Sequence, residues 1–83
     1  MKKVFESKIN GFDESAEQIT LYSLDSEEER RELDEMTHEE LCDLLGVFDE
    51  SGYEVMPGAI YHTYDIEVTG AFLIVTDCVA YNV

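Results

Sequence analysis

His38 and Cys42 stand four residues apart, the interval that places two side chains on one face of a helix. His62 and Cys78 add a second imidazole and a second thiol, so the chain holds the donor types of a zinc site. Their arrangement argues against one. No Cys-x-x-Cys pair is present, and His62 and Cys78 fall in a segment that reads as a β-hairpin. With Thr69-Gly70 as a two-residue loop, His62 faces Asp77 while Cys78 faces Tyr61 on the opposite side. The cysteines and histidines therefore read as structural, and residues 43–54 lack the ligand spacing of an EF-hand. A His–Asp pair orients the imidazole in some catalytic sites, but no Ser or Cys is placed beside this one as a nucleophile. A structural cross-strand pair is the reading. The expectation is no metal, no cofactor and no enzymatic activity, because carboxylate acid–base chemistry needs a pocket that a thin core does not supply.

The carboxylates carry the stronger signal. The 83 residues hold 20 Asp and Glu against 5 Lys and Arg, a net charge of -15. The basic residues are Lys2, Lys3, Lys8, Arg30 and Arg31, and none follows Arg31. A single-sign field of this size repels itself in the folded state, a cost that a strongly basic partner offsets. At helical spacing Glu28, Glu32 and Glu35 stand side by side, and Glu39 and Asp43 repeat the arrangement. Their Cβ atoms would lie about 5–6 Å apart, close to the spacing of phosphates along a DNA strand. With Asp49 and Glu50 these residues make the candidate partner-binding surface. Helix capping accounts for some acids, since Glu27, Glu28 and Glu29 favour the positive end of a helix dipole. It does not explain the missing Lys and Arg, because ordinary surfaces intersperse both signs.

These residues need a scaffold, and the chain predicts a single α+β domain spanning 1–83. Residues 4–9 read as a strand, Asn10-Gly11 as a turn and Asp13-Glu14-Ser15 as loop. Residues 18–24 are again β-rich. Ser26 with Glu29, and Thr37 with Glu40, fit capping boxes, and Gly46 stands where a left-handed residue ends a helix. Leu33, Met36, Leu41, Leu44, Leu45 and Phe48 keep a helical period. One helix would preserve it as well, but Thr37 is a better cap than an interior residue, which favours two. From Ile60 onward the alternation predicts a hairpin, giving an antiparallel sheet of about four strands in the order ββααββ. The return strand is apolar on both faces, with Leu73, Val75 and Val79 against Phe72, Ile74 and Cys78. Such a strand is normally covered twice. Two covers are open for the second face: the 53–57 loop, or a second copy in a homodimer through the C-terminal hairpin.

The composition narrows the function classes. A 45% apolar, 11% aromatic chain is no disordered acidic tail. Its negative surface opposes direct contact with nucleic acid or anionic lipid. No apolar run is long enough to span a bilayer, and no signal segment is visible, so a cytoplasmic location with reduced thiols is expected. Asp25-Ser26 has the first two residues of an acyl-carrier Asp-Ser-Leu motif, but Glu27 replaces the Leu and β segments surround it. A halophilic solubility device would spread its acids more evenly than this chain does.

In size, charge and α+β texture the chain resembles the small acidic inhibitors of phages and mobile elements, the anti-CRISPR and antirestriction proteins that imitate DNA. No motif assigns it to one such family, so no functional residue is carried over. The resemblance implies a non-enzymatic inhibitor of a basic nucleic-acid-binding protein, such as a bacterial defence nuclease, acting in the host cytoplasm. The alternative is an acidic adaptor or antitoxin-like module that binds a basic protein without imitating DNA.

Overall fold

Period-two alternation builds four strands, and the helical period between Ser26 and Gly46 builds two capped helices, in the expected order. The structure, a computed structural model, describes residues 1–9, 15–52 and 54–81. Its elements are β1 (Lys2–Ile9), β2 (Ser15–Ser23), α1 (Glu27–Glu35), α2 (His38–Leu45), β3 (Ile60–Thr69) and β4 (Phe72–Tyr81). The strands form one antiparallel sheet in the spatial order β1-β2-β4-β3. Ser15, expected in a loop, is the first residue of β2. The Asn10-Gly11 turn and Asp13-Glu14 lie outside the described residues, as does Tyr53. In β1 the pairing shifts between Lys3 and Phe5, a bulge at a sheet edge that also carries Lys2 and Lys3. Both features discourage another strand from adding there.

The helices are two, as Thr37 indicated. Thr37 completes a reciprocal capping box: its hydroxyl accepts from the Glu40 N–H at 3.1 Å, and Glu40 accepts from the Thr37 N–H at 3.1 Å. At α1 only half of the expected box forms. The Ser26 hydroxyl accepts from the Glu29 N–H, but the Glu29 carboxylate reaches past Ser26 to the Asp25 N–H. It also receives the N-terminal ammonium of Met1, which Asp25 shares. That second contact draws Glu29 one residue back from the box geometry. Gly46 ends α2 at φ +71, with its N–H on the Asp43 carbonyl and the Val47 N–H on the Cys42 carbonyl. This is a Schellman turn, which reverses the chain sharply.

The final hairpin turns one residue later than Thr69-Gly70. Thr69 pairs with Phe72, so Gly70-Ala71 is the loop. Gly70 takes φ +58, a conformation that only glycines adopt among the described residues. Glycine first in a two-residue loop is the type II′ arrangement, and it spares Thr69 the positive φ that disfavours it. The pairing consequently differs by two: His62 faces Val79, Tyr64 faces Asp77, and Cys78 faces Thr63 instead of Tyr61. A two-residue offset leaves every side chain on its expected face.

Helices cover one face only. Leu73 is fully buried, and Val75, Thr20, Leu33, Leu41 and Cys42 complete the small core. The opposite face carries Phe72, Ile74 and Cys78 on β4, flanked by Leu21 on β2 and Phe5 on β1. Phe5 is 50% and Phe72 42% exposed, so neither is covered. The thinnest dimension, 16 Å, holds a sheet and one helical layer but no third layer about 10 Å beyond. In the described part of the 53–57 connection, Met56 is 76% exposed and shields nothing.

Because Leu73 is the central contact, Leu73→Ala should cost about 3–5 kcal/mol in urea denaturation. That is a large share of the roughly 4–12 kcal/mol expected for a domain of this length. Phe72→Ala, one residue away on the open face, should cost about 1 kcal/mol. Equal losses at both positions would mean that the open face is buried in solution.

Candidate functional site

The acidic face is assembled by α1 and α2. Leu33 points α1 toward the sheet, and Glu28, Glu32 and Glu35 then fall within about 60° of arc on the side away from it. Leu41 and Cys42 orient α2 in the same way, which turns Glu39 and Asp43 outward. All five carboxylates are exposed. No hydrogen bond or ion pair among the described residues engages them. Asp34 is a sixth helical carboxylate that is exposed and unengaged, outside the α1 row. Its seven-residue separation from Glu27 was the available signal.

Most of the other acids described on or beside the helices have internal work. Asp25 and Glu29 bind the Met1 ammonium, Glu27 lies 3.6 Å from Arg30, and Glu40 caps α2. Asp49 and Glu50, grouped with the rows from sequence, are engaged differently. Glu50 accepts from the His62 N–H at 3.1 Å while its own N–H donates to the His62 carbonyl at 2.8 Å. It thereby ties the post-helical loop to the edge strand β3. Asp49 is only 11% exposed and accepts from His38 Nε2 at 2.6 Å and from the Ser51 N–H at 2.8 Å. The Schellman turn at Gly46 brings it back beside the first residue of α2.

This return creates a small polar depression of ≈ 270 Å³ lined by His38, Glu39, Cys42, Asp43, Phe48 and Asp49, among others. Cys42 Sγ lies 3.7 Å from His38 Nε2. Burial pushes the Cys42 thiol above its ordinary value, and the nearby Asp49, Asp43 and Glu39 carboxylates push the same way. Of the four donors first considered, His38 and Cys42 therefore meet, whereas His62 and Cys78 do not join them. Cys78 sits on the open face of β4. Both cysteines are free thiols. His62 keeps its expected link to Asp77, Nδ1 to Oδ1 at 3.0 Å, across the diagonal of the corrected register. Its ring stacks on Tyr64 at 6.3 Å.

The Asp49 carboxyl has opposing influences. Burial alone would raise it. The His38 hydrogen bond, Ser51 through backbone and hydroxyl, and the Tyr64 backbone outweigh burial and lower it from 3.8 to about 2. A depressed carboxyl contributes stability that is complete above pH 3.8 and is lost as pH falls through about 2. The stability advantage of the wild type over Asp49→Asn in metal-free buffer should therefore shrink as pH drops across that interval. An advantage constant from pH 5 to 2 would show that the Asp49 charge contributes nothing.

No family model, curated protein or solved structure matches the chain. No described helix is long and apolar enough to cross a membrane.

Proposed function

We propose that the protein is a non-enzymatic inhibitor whose α1–α2 face occupies the basic nucleic-acid-binding surface of another protein, a bacterial defence nuclease of the CRISPR or restriction kind. One observation carries the reading. Glu28, Glu32, Glu35, Glu39 and Asp43 are exposed and make no internal pair, on helices whose one exposed Lys or Arg is Arg31. Like charges at three- and four-residue spacing on a helix cost about 0.2–0.5 kcal/mol per pair. The rows therefore work against the fold that displays them, and a groove of Lys and Arg reverses that sign. Such a groove has shed its own counterions to bind phosphate and would do the same for these carboxylates. Association would be fast and steeply salt-dependent.

The decisive experiment is a pull-down from bacterial lysate beside a charge-matched acidic control, with retained proteins identified by mass spectrometry. A selectively held nuclease or DNA-binding complex, released by its own nucleic acid, supports mimicry. Retention that nucleic acid leaves intact supports the adaptor reading. Changing the five carboxylates to Gln and Asn should abolish selective retention while thermal stability is kept or rises. Unchanged retention removes this face from the contact.

The open sheet face supports self-association through the C-terminal hairpin. Phe5, Leu21, Phe72 and Ile74 supply its apolar surface. Sedimentation equilibrium should then report a dimer that Phe72→Ser shifts to monomer, and a concentration-independent monomer would count against it.

A further inference from the structure

We propose that His38, Cys42 and Asp49 form a binding site for one divalent transition-metal ion of the zinc class. Their ligand atoms, an imidazole nitrogen, a thiol sulfur and a carboxylate oxygen, all lie within 4.8 Å of one another. The same nitrogen, Nε2, is the one directed at both partners. Two ligands at typical zinc distances and a tetrahedral angle stand about 3.6 Å apart for sulfur and nitrogen, and about 3.4 Å for nitrogen and oxygen. The observed sulfur–nitrogen separation is 3.7 Å, already the edge of such a tetrahedron. The nitrogen–oxygen separation is 2.6 Å, so the ion would replace that hydrogen bond and widen it by under about 1 Å. His38 can give way. It is half exposed and is the first residue of its helix.

The surroundings suit a cation. One donor is held from behind: the second oxygen of Asp49 accepts from the Ser51 N–H. Support of this kind orients first ligands and sharpens affinity. Glu39 and Asp43 line the same depression, and with Asp49 they surround a buried thiol with negative charge. A dication reverses that repulsion. On binding, the Cys42 thiol releases its proton to solvent and the imidazole proton moves from Nε2 to Nδ1, which leaves sulfur and nitrogen lone pairs for the ion. A thiolate, an imidazole and one carboxylate select zinc, cobalt or nickel over magnesium or calcium, which prefer all-oxygen sites. Three protein ligands leave a fourth position for water. Such an ion would clip the post-helical loop to the start of α2, the segment on which Glu39 and Asp43 are displayed.

The test is titration of the full chain with Zn²⁺ in a large excess of Mg²⁺, which saturates carboxylates without engaging a thiol. One equivalent should bind, and His38→Gln and Cys42→Ser should each weaken it by at least about tenfold. With Co²⁺, a sulfur-to-cobalt charge-transfer band should appear in the wild type and in Cys78→Ser but not in Cys42→Ser. If Cys42→Ser fails to fold, the half-exposed His38→Gln carries the affinity comparison and the wild-type spectrum still reports the thiolate. No binding above the Mg²⁺ background, no charge-transfer band in the wild type, or equal affinity in His38→Gln would each overturn the site. None of these readouts involves the partner protein, so failure of the metal site and failure of the inhibitor reading are distinguishable.

Discussion

The whole molecule depends on one packing contact, the burial of Leu73 and Val75 beneath a single layer of two short helices. With so few buried side chains, the orientation of each helix rests on one or two anchors: Leu33 for α1, and Leu41 with Cys42 for α2. That economy has a direct consequence for the surface. A helix fixed by a narrow apolar stripe presents the rest of its circumference to solvent, and here that circumference is mostly acidic. The core and the carboxylate rows are two readings of the same helical period.

Charge and packing oppose one another in this design. The capping boxes, the first-turn glutamates and the Schellman turn stabilise helices that their own like-charged rows destabilise. Several acids are relieved by local partners: Met1, Arg30, the Thr37 N–H, His38 and His62. Five of those left over, Glu28, Glu32, Glu35, Glu39 and Asp43, lie on the outer side of the helices. A distribution produced by solubility alone would leave exposed bases among them, whereas Arg31 stands alone beside the rows. The open sheet face carries an apolar patch of Phe5, Leu21, Phe72 and Ile74 on the reverse side of a thin plate, with the exposed Glu17, Asp65 and Glu67 on the same face. The molecule thus has one strongly acidic helical face and one sheet face with an exposed apolar patch.

The loop after α2 joins these themes. The turn at Gly46 sends Asp49 back to His38 and hands Glu50 to β3, so a single reversal ties helix, loop and edge strand. Two carboxylates that look like further members of the acidic surface become internal struts. In the same movement an imidazole and a thiol one helical turn apart acquire a third donor. A structural hydrogen-bond cluster and a metal site differ here by the opening of one short contact.

Much of this was legible in the chain itself. Alternation from Ile60, the turn glycines and the two Ser/Thr caps determine the element order, and helical spacing alone puts Glu28, Glu32, Glu35, Glu39 and Asp43 on exposed rows. Those are local properties, decided by neighbours within a turn or a strand. The hairpin register was not, because Thr69-Gly70 and Gly70-Ala71 differ only in which residue must bear positive φ. That error left faces intact, since strand parity survives a shift of two. Only tertiary structure decided that the 53–57 connection leaves Phe72 and Phe5 on the second face exposed, because covering depends on layers remote in sequence. Only it brought Asp49 to His38 and Cys42, since the path of a loop after a helix stop is set by what the returning chain packs against.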